Sequence, residues 1–202
     1  MVILLIVTTL VLLGWSSLQA SYSSTLKGTH ARGAARDAIS RMTREIRDMQ
    51  PVTIGGSSIV NADDDEITFY SAFNSASAVT DPGTDGLGHV ALVRYWYDFD
   101  PSAEPAEWCI YRQRDGNGDN SLTAADPTML VARNIVNGLT LPGQSGPLPV
   151  FTYSESGSAS AMSTPVSDVA DIATIRIHVI ADLNPEHTPK YFDLITTIKP
   201  RN

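Results

Sequence analysis

The chain has little of what disulfides, metal clusters or catalysis require. Cys109 is its only cysteine, so no intrachain disulfide and no four-cysteine metal site can form. Flanked by Trp108 and Ile110, it reads as a buried structural thiol. Charged residues are few, at 18% against 43% apolar, a balance that favours a folded globular chain over disorder. The net charge of −8 excludes a general nucleic-acid binder, which needs clustered Lys and Arg. No HExxH, GxSxG, P-loop or GxGxxG pattern occurs, and His30, His89, His178 and His187 are dispersed. Nothing in the sequence points to an enzyme.

No Lys or Arg stands before Lys27, and the charge that follows is divided. Residues 1–50 carry six basic and three acidic side chains, whereas residues 51–202 carry eight basic and nineteen acidic ones. Two parts of opposite character therefore meet near Pro51.

The uncharged front is apolar from Met1 to Trp15, interrupted only by Thr8, Thr9 and Gly14. As a helix, its first fifteen residues reach roughly 22 Å and extension to Tyr22 gives roughly 33 Å, so the segment is expected to be able to cross a hydrocarbon core of about 30 Å. Three readings compete. A cleaved signal peptide lacks its basic n-region, although Leu18-Gln19-Ala20 could pass as a cleavage site. A simple anchor starting at Met1 would leave the acidic bulk in the cytoplasm by the positive-inside rule. A processed chain, whose basic leader was cut away ahead of Met1, meets neither objection.

From Ser21 the pattern turns amphipathic. Ala31, Ala35, Ala38, Met42, Ile46 and Met49 recur at helical spacing, while Arg32, Arg36, Arg44, Arg47 and Asp48 fall elsewhere around the helix. Pro51 predicts a stop at Met49 or Gln50. This gives three expected segments: an apolar polymerisation or membrane helix at 1–25, its amphipathic continuation at 26–50, and a β-rich head at 51–202.

Strands are expected at 66–70, 89–99, 107–113, 129–133, 135–141, 150–153, 172–181 and 191–199, with exposed loops at 71–88 and 154–164. Along 172–180 the residues Ala173, Ile175, Ile177 and Val179 share one apolar face. No second amphipathic helix is available to cover it, so the 31–50 stripe is its natural partner. The fold expected is α+β, a long N-terminal helix packed on one antiparallel sheet.

The order of a charge-free apolar run, small polar residues, and then the arginine-rich stretch 31–50 resembles the type IV pilin superfamily, most closely pseudopilins and minor pilins. The resemblance covers about the first quarter of the chain. It implies a structural subunit that polymerises through Met1, Ile3, Leu4, Leu5, Ile6, Leu10, Leu12, Leu13 and Gly14, with Gly14 where the helix loosens on assembly. It also implies a methylated N-terminus at Met1, residence in a membrane before assembly, copies of itself or related subunits and an inner-membrane assembly machine as partners, and an extracellular filament as the destination. Leu5 stands where major subunits usually carry a glutamate, which favours either a minor subunit or a filament that handles the buried N-terminal amine in another way. The alternative is a membrane-anchored or secreted β-rich module that recognises a glycan or adhesive surface.

One local signal suggests metal. In the stretch 115–126, Asp115, Asn117, Asp119, Ser121, Thr123 and Asp126 occupy the positions from which an EF-hand-type loop places oxygens around Ca²⁺. Asn120 replaces the usual glycine at the sharp turn but tolerates left-handed backbone, and Asp126 replaces a longer glutamate. Calcium is thus the one cofactor to consider; a polar hairpin connection is the plainer reading. Asp63-Asp64-Asp65-Glu66 reads as a solvated turn, and Tyr95-Trp96-Tyr97 as a strand with at most one face exposed.

Overall fold

A computed structural model describes residues 2–51, 56–72, 90–100, 102, 108–116, 119–183 and 190–200, with side chains inside the first helix described from residue 8 except 20 and 24. One helix, α1 (Val2–Arg47), is continuous over 46 residues, or roughly 70 Å. Its many hydroxyl residues do not break it, because they bond to its own carbonyls. Ser16 donates to Leu13 O at 3.0 Å, Thr25 to Ser21 O at 2.9 Å and Thr29 to Thr25 O at 3.0 Å. Arg44 and Arg47 occupy the last turn, where cations oppose the negative end of the helix dipole. Beyond it the chain enters a sheet directly: Gln50 N donates to Tyr70 O and Met49 bridges Ser71.

Eight strands follow in two antiparallel sheets. β1 (Ile59–Ala62), β2 (Glu66–Ser71), β3 (Ala91–Asp98), β4 (Cys109–Arg114) and β5 (Thr128–Ala132) form a five-stranded meander. β6 (Phe151–Glu155), β7 (Ile172–Asp182) and β8 (Tyr191–Ile198) form a three-stranded one. The expected α+β plan with a single sheet under a long apolar helix is therefore corrected: the chain is β-rich and has two sheets. The physical reason lies at the expected strand 135–141. Only Ile135 of it bridges, to Ala181, while Val136 N donates to Ile180 O and Asp182 N to Asn134 O. Residues 134–136 thus run from the last strand of the first sheet onto the free flank of β7. There the side chain of Asn137 takes over the ladder, accepting from Ile180 N at 2.8 Å and donating to His178 O at 2.8 Å.

The amphipathic stripe packs as its spacing predicts. Ala35, Ala38, Met42, Ile46 and Met49 are fully buried in one core with Ile67, Phe69, Tyr95, Ile110, Tyr153 and Ile177. The apolar face of β7, Ile175, Ile177 and Val179, is buried too, and its register places it beside Ile198, Thr196 and Leu194 of β8. Further along that strand the ring of Phe192 lies under the guanidinium groups of Arg32 and Arg36, at 5.6 and 5.5 Å. The β1 strand departs from the expected set, Ser71 of the expected loop 71–88 ends β2, and the loop from residue 73 to 88 lies outside the described residues.

Among the described residues, no helix is long and apolar enough to cross a membrane. This corrects the expected long apolar half of α1 on the side chains described. Leu10 to Trp15 is an unbroken stretch of only about 9 Å, after which Ser16, Ser17, Gln19, Ser21, Ser23 and Thr25 alternate with the larger apolar residues.

Candidate functional site

The front of α1 is the surface with the least internal explanation. Leu10, Val11, Leu12, Leu13, Trp15, Leu18, Tyr22 and Leu26 are all exposed, from 42% at Leu26 to 69% at Tyr22. A helix apolar around its whole circumference is ordinarily buried on all sides. Of the residues expected to drive polymerisation, Leu10, Leu12 and Leu13 stand in this exposed collar, and Gly14 has open space where a Cβ would be. Met1 lies outside the described residues, as do the side chains of Ile3, Leu4, Leu5 and Ile6.

The residues named for polymerisation stop at Gly14, within an expected segment that runs to residue 25. Val11, Trp15, Leu18, Tyr22 and Leu26 follow one another at spacings of four, three, four and four, which is a second helical stripe. At 100° per residue its centre lies roughly 160–200° around the helix from the stripe of Ala35, Ala38, Met42 and Ile46. The two halves of α1 therefore present apolar surface in opposite directions. The front stripe is exposed, while the head buries the stripe on the other side of the helix.

Beside the buried apolar stripe, a buried polar contact ties α1 to the head. Glu45, 3% exposed, accepts hydrogen bonds from Tyr95 Oη at 2.8 Å and Arg112 Nε at 2.8 Å. Tyr95 and Arg112 are opposed across β3 and β4, so one carboxylate ties the helix to two strands. Burial, reinforced by the negative charge of Glu45, pushes the Tyr95 hydroxyl far above its ordinary value. Burial opposes the charged form of Arg112, but the bond and charge of Glu45 outweigh it and raise its pKa. Ser71 Oγ also donates to Glu45 O, and Arg41 reaches the sulfur of Met129 at 3.1 Å. The sequence signal was the lone glutamate among arginines on the helix.

In the stretch 115–126, Asp115 is buried and its Oδ2 accepts from Asn120 N at 2.9 Å. Asp126 Oδ1 accepts from Gly116 N at 2.9 Å, and its Oδ2 from Thr123 N at 2.8 Å and Thr123 Oγ1 at 3.0 Å. These backbone donors, Gly116 first and then Thr123, hold the Asp126 carboxyl below the usual carboxylate range. Asp119 Oδ1 accepts from Ser121 N at 2.9 Å. Asn120 has φ of 59°, the left-handed turn that the spacing asks for at that position. Asn117 lies outside the described residues. Among the described residues no group of three or more His, Cys, Asp or Glu side chains is placed to hold a metal ion.

The other singled-out residues resolve into packing. Tyr95 and Tyr97 are buried, and Trp96 on the opposite face stacks on Tyr111 at 5.4 Å with Arg94 over its ring at 4.9 Å. In the acidic turn, the carbonyls of Asp63 and Glu66 both accept from Tyr153 Oη. Cys109 is buried and free of disulfide bonds.

No protein-family model matches the chain, and no curated protein matches it. Its functional reading therefore rests on the collar, the stripe behind it and the contact that orients them.

Proposed function

We propose that this protein is a structural subunit of an extracellular filament similar to type IV pili, assembled by side-by-side packing of α1 from many copies or from related subunits. One observation carries the reading: eight large apolar side chains between Leu10 and Leu26 are exposed on a continuous helix whose rear half alone is buried by its own head. Soluble monomers do not sustain such a surface, and contiguous exposed apolar area on this scale marks an interaction site.

The energetics agree. Burying a leucine-sized side chain out of water contributes about 1.5–3 kcal/mol, a gain that lipid and a filament core both supply, and this near-balance suits extraction and polymerisation by a machine. In a filament the collars form the centre, and the acidic heads, held outward by the Glu45 contact, form the surface. Before assembly the same collar needs a cover of lipid or of an assembly machine at the inner membrane. Leu5 in place of a glutamate fits a minor subunit. No catalytic role is assigned to the β head.

The test is electron microscopy of sheared surface material from cells expressing the wild type or the Leu10→Arg/Leu13→Arg double variant. Wild-type subunit should be found in filaments and the variant should be absent from them while its head remains folded. A variant that enters filaments as efficiently as the wild type would overturn the assignment.

A further inference from the structure

We propose that the groove at the neck of the molecule, where α1 leaves the head, binds the headgroup of an anionic phospholipid. The groove, of about 550 Å³, lies between α1 and the outer edge of β5, with walls that include Ala34, Leu130 and Leu183 and a rim that carries Lys27, His30 and Arg133. Helix and head approach closely at this point: a Cβ on Gly28 would meet Leu183 at 3.8 Å.

Charge decides the occupant. Lys27 and Arg133 line the groove in a chain whose head carries nineteen acidic residues against eight basic, so the neck favours an anion where most of the head does not. The apolar walls favour an anion that brings hydrocarbon with it.

Position along the helix argues the same way. Lys27 is the first charge in the chain and follows directly on the exposed collar that ends at Leu26. With the neck at headgroup level, the Leu10–Trp15 stretch lies roughly 18–25 Å deeper along the helix axis, within the hydrocarbon below the polar zone. The intervening Ser16 and Thr25 bond to helix carbonyls and so need little water at that depth. Arg32 and Arg36, stacked on Phe192, add positive charge on the next turns. Along the helix the cationic neck therefore stands on the headgroup side of the collar. Crossing the membrane is not required, and neither is polymerisation: a chain that never assembled would show the same preference.

The experiment is a flotation assay with the full chain, using mixed phosphatidylglycerol–phosphatidylcholine vesicles and vesicles of phosphatidylcholine alone. Wild type should prefer the anionic vesicles. Each cation near an anionic surface is worth about a five-fold change in affinity, so Lys27→Gln/Arg133→Gln should lose roughly twenty-fold on anionic vesicles. Its binding to phosphatidylcholine, which depends on the collar, should be unchanged. Arg176→Gln/Lys199→Gln removes the same charge at the far end of the second sheet, where Arg176 faces Thr197, and should keep the preference. Equal loss in both double variants, no preference in the wild type, or displacement by inorganic phosphate at constant ionic strength would each overturn the proposal. Filament assembly scored separately by microscopy keeps this outcome distinct from that of the functional reading.

Discussion

Glu45 on α1 and Arg112 on β4 meet at 2.8 Å in the interior, with the two side chains 4% and 13% exposed. The pair is shared with the Tyr95 hydroxyl, so the carboxylate is satisfied from two strands at once. Removing one member of a buried pair leaves an uncompensated charge, at a cost of about 3–5 kcal/mol. Glu45→Ala should therefore lower the midpoint of thermal unfolding by roughly 6–20 °C for a chain of this size. Glu45→Met combined with Arg112→Met should recover most of the loss, because a well-packed apolar pair removes both charges together. Calorimetry on the three proteins decides it, and a single variant as stable as the wild type would show that the contact does not hold the helix.

Much of the architecture was written in local patterns. The 31–50 stripe and the alternation of 172–180 are periodic over many residues, and both are buried as their periods require. The bounds of β2, β4, β5, β6 and β8 agree with the sequence to within two residues, because β-branched and aromatic runs there are bounded by turn residues. What local pattern could not carry was the division into two sheets. The segment 135–141 has strand-like residues, but Gly138 and Pro142 interrupt it, and its partner is the flank of a strand forty residues later. β1, only four residues long and containing Asn61, has no alternation to read. At the candidate site the leucines of the collar were legible. The Trp15–Leu26 extension was missed because serines and threonines between its members lower the average hydropathy without disturbing the stripe.

Asn137, 1% exposed, closes the seam between the sheets with three hydrogen bonds, to Leu148 O, His178 O and Ile180 N. Its replacement by leucine would keep the branched shape, add volume and strand those backbone groups. Each buried group left without a partner costs about 1–3 kcal/mol, so Asn137→Leu should destabilise by roughly 3 kcal/mol or more. Urea unfolding measures the loss, and hydrogen exchange should show the Ile180 amide opening first. A change confined to a few tenths would mean that the seam is held elsewhere.

Gly138 follows immediately and is fixed by space. A Cβ there would stand 2.5 Å from Phe99 Cγ, and that ring is already packed against Tyr97 at 5.9 Å and Trp108 at 5.0 Å. With aromatic rings on either side of it, Phe99 has little room to yield. Gly138→Ala should cost about 1–3 kcal/mol by overpacking. In the background of Phe99→Leu the same substitution should cost markedly less, and equal costs in both backgrounds would refute the steric account.

Asp126 gives a pH dependence with a defined sign. Its carboxyl is held below the ordinary value of 3.8 by Gly116 and Thr123 amides. A depressed carboxylate pKa contributes stability that is full above the unfolded value and is lost as pH falls through the folded one. The Gly116 and Thr123 amide resonances should therefore shift with a midpoint below 3.8. Asp126→Asn should flatten the profile. A midpoint above the ordinary carboxylate value for both amides in the wild type would contradict the hydrogen-bond geometry.

The opposed stripes of α1 separate assembly from folding. Leu18 and Tyr22 are 68% and 69% exposed and point away from the head, so their removal takes nothing from the monomer's core. Met42, fully buried on the other stripe, takes no part in the outward face. Leu18→Ser/Tyr22→Ser should reduce incorporation into filaments at least ten-fold, the equivalent of about 1.4 kcal/mol, and leave the unfolding temperature of the head unchanged. Met42→Ala should do the reverse at moderate temperature, costing about 2–5 kcal/mol of stability while folded subunits still assemble. Incorporation is read by quantitative mass spectrometry of sheared filaments and stability by calorimetry. If both substitutions moved both quantities together, the front of the helix would be part of the folded unit, and the outward stripe would lose its role as the assembly surface.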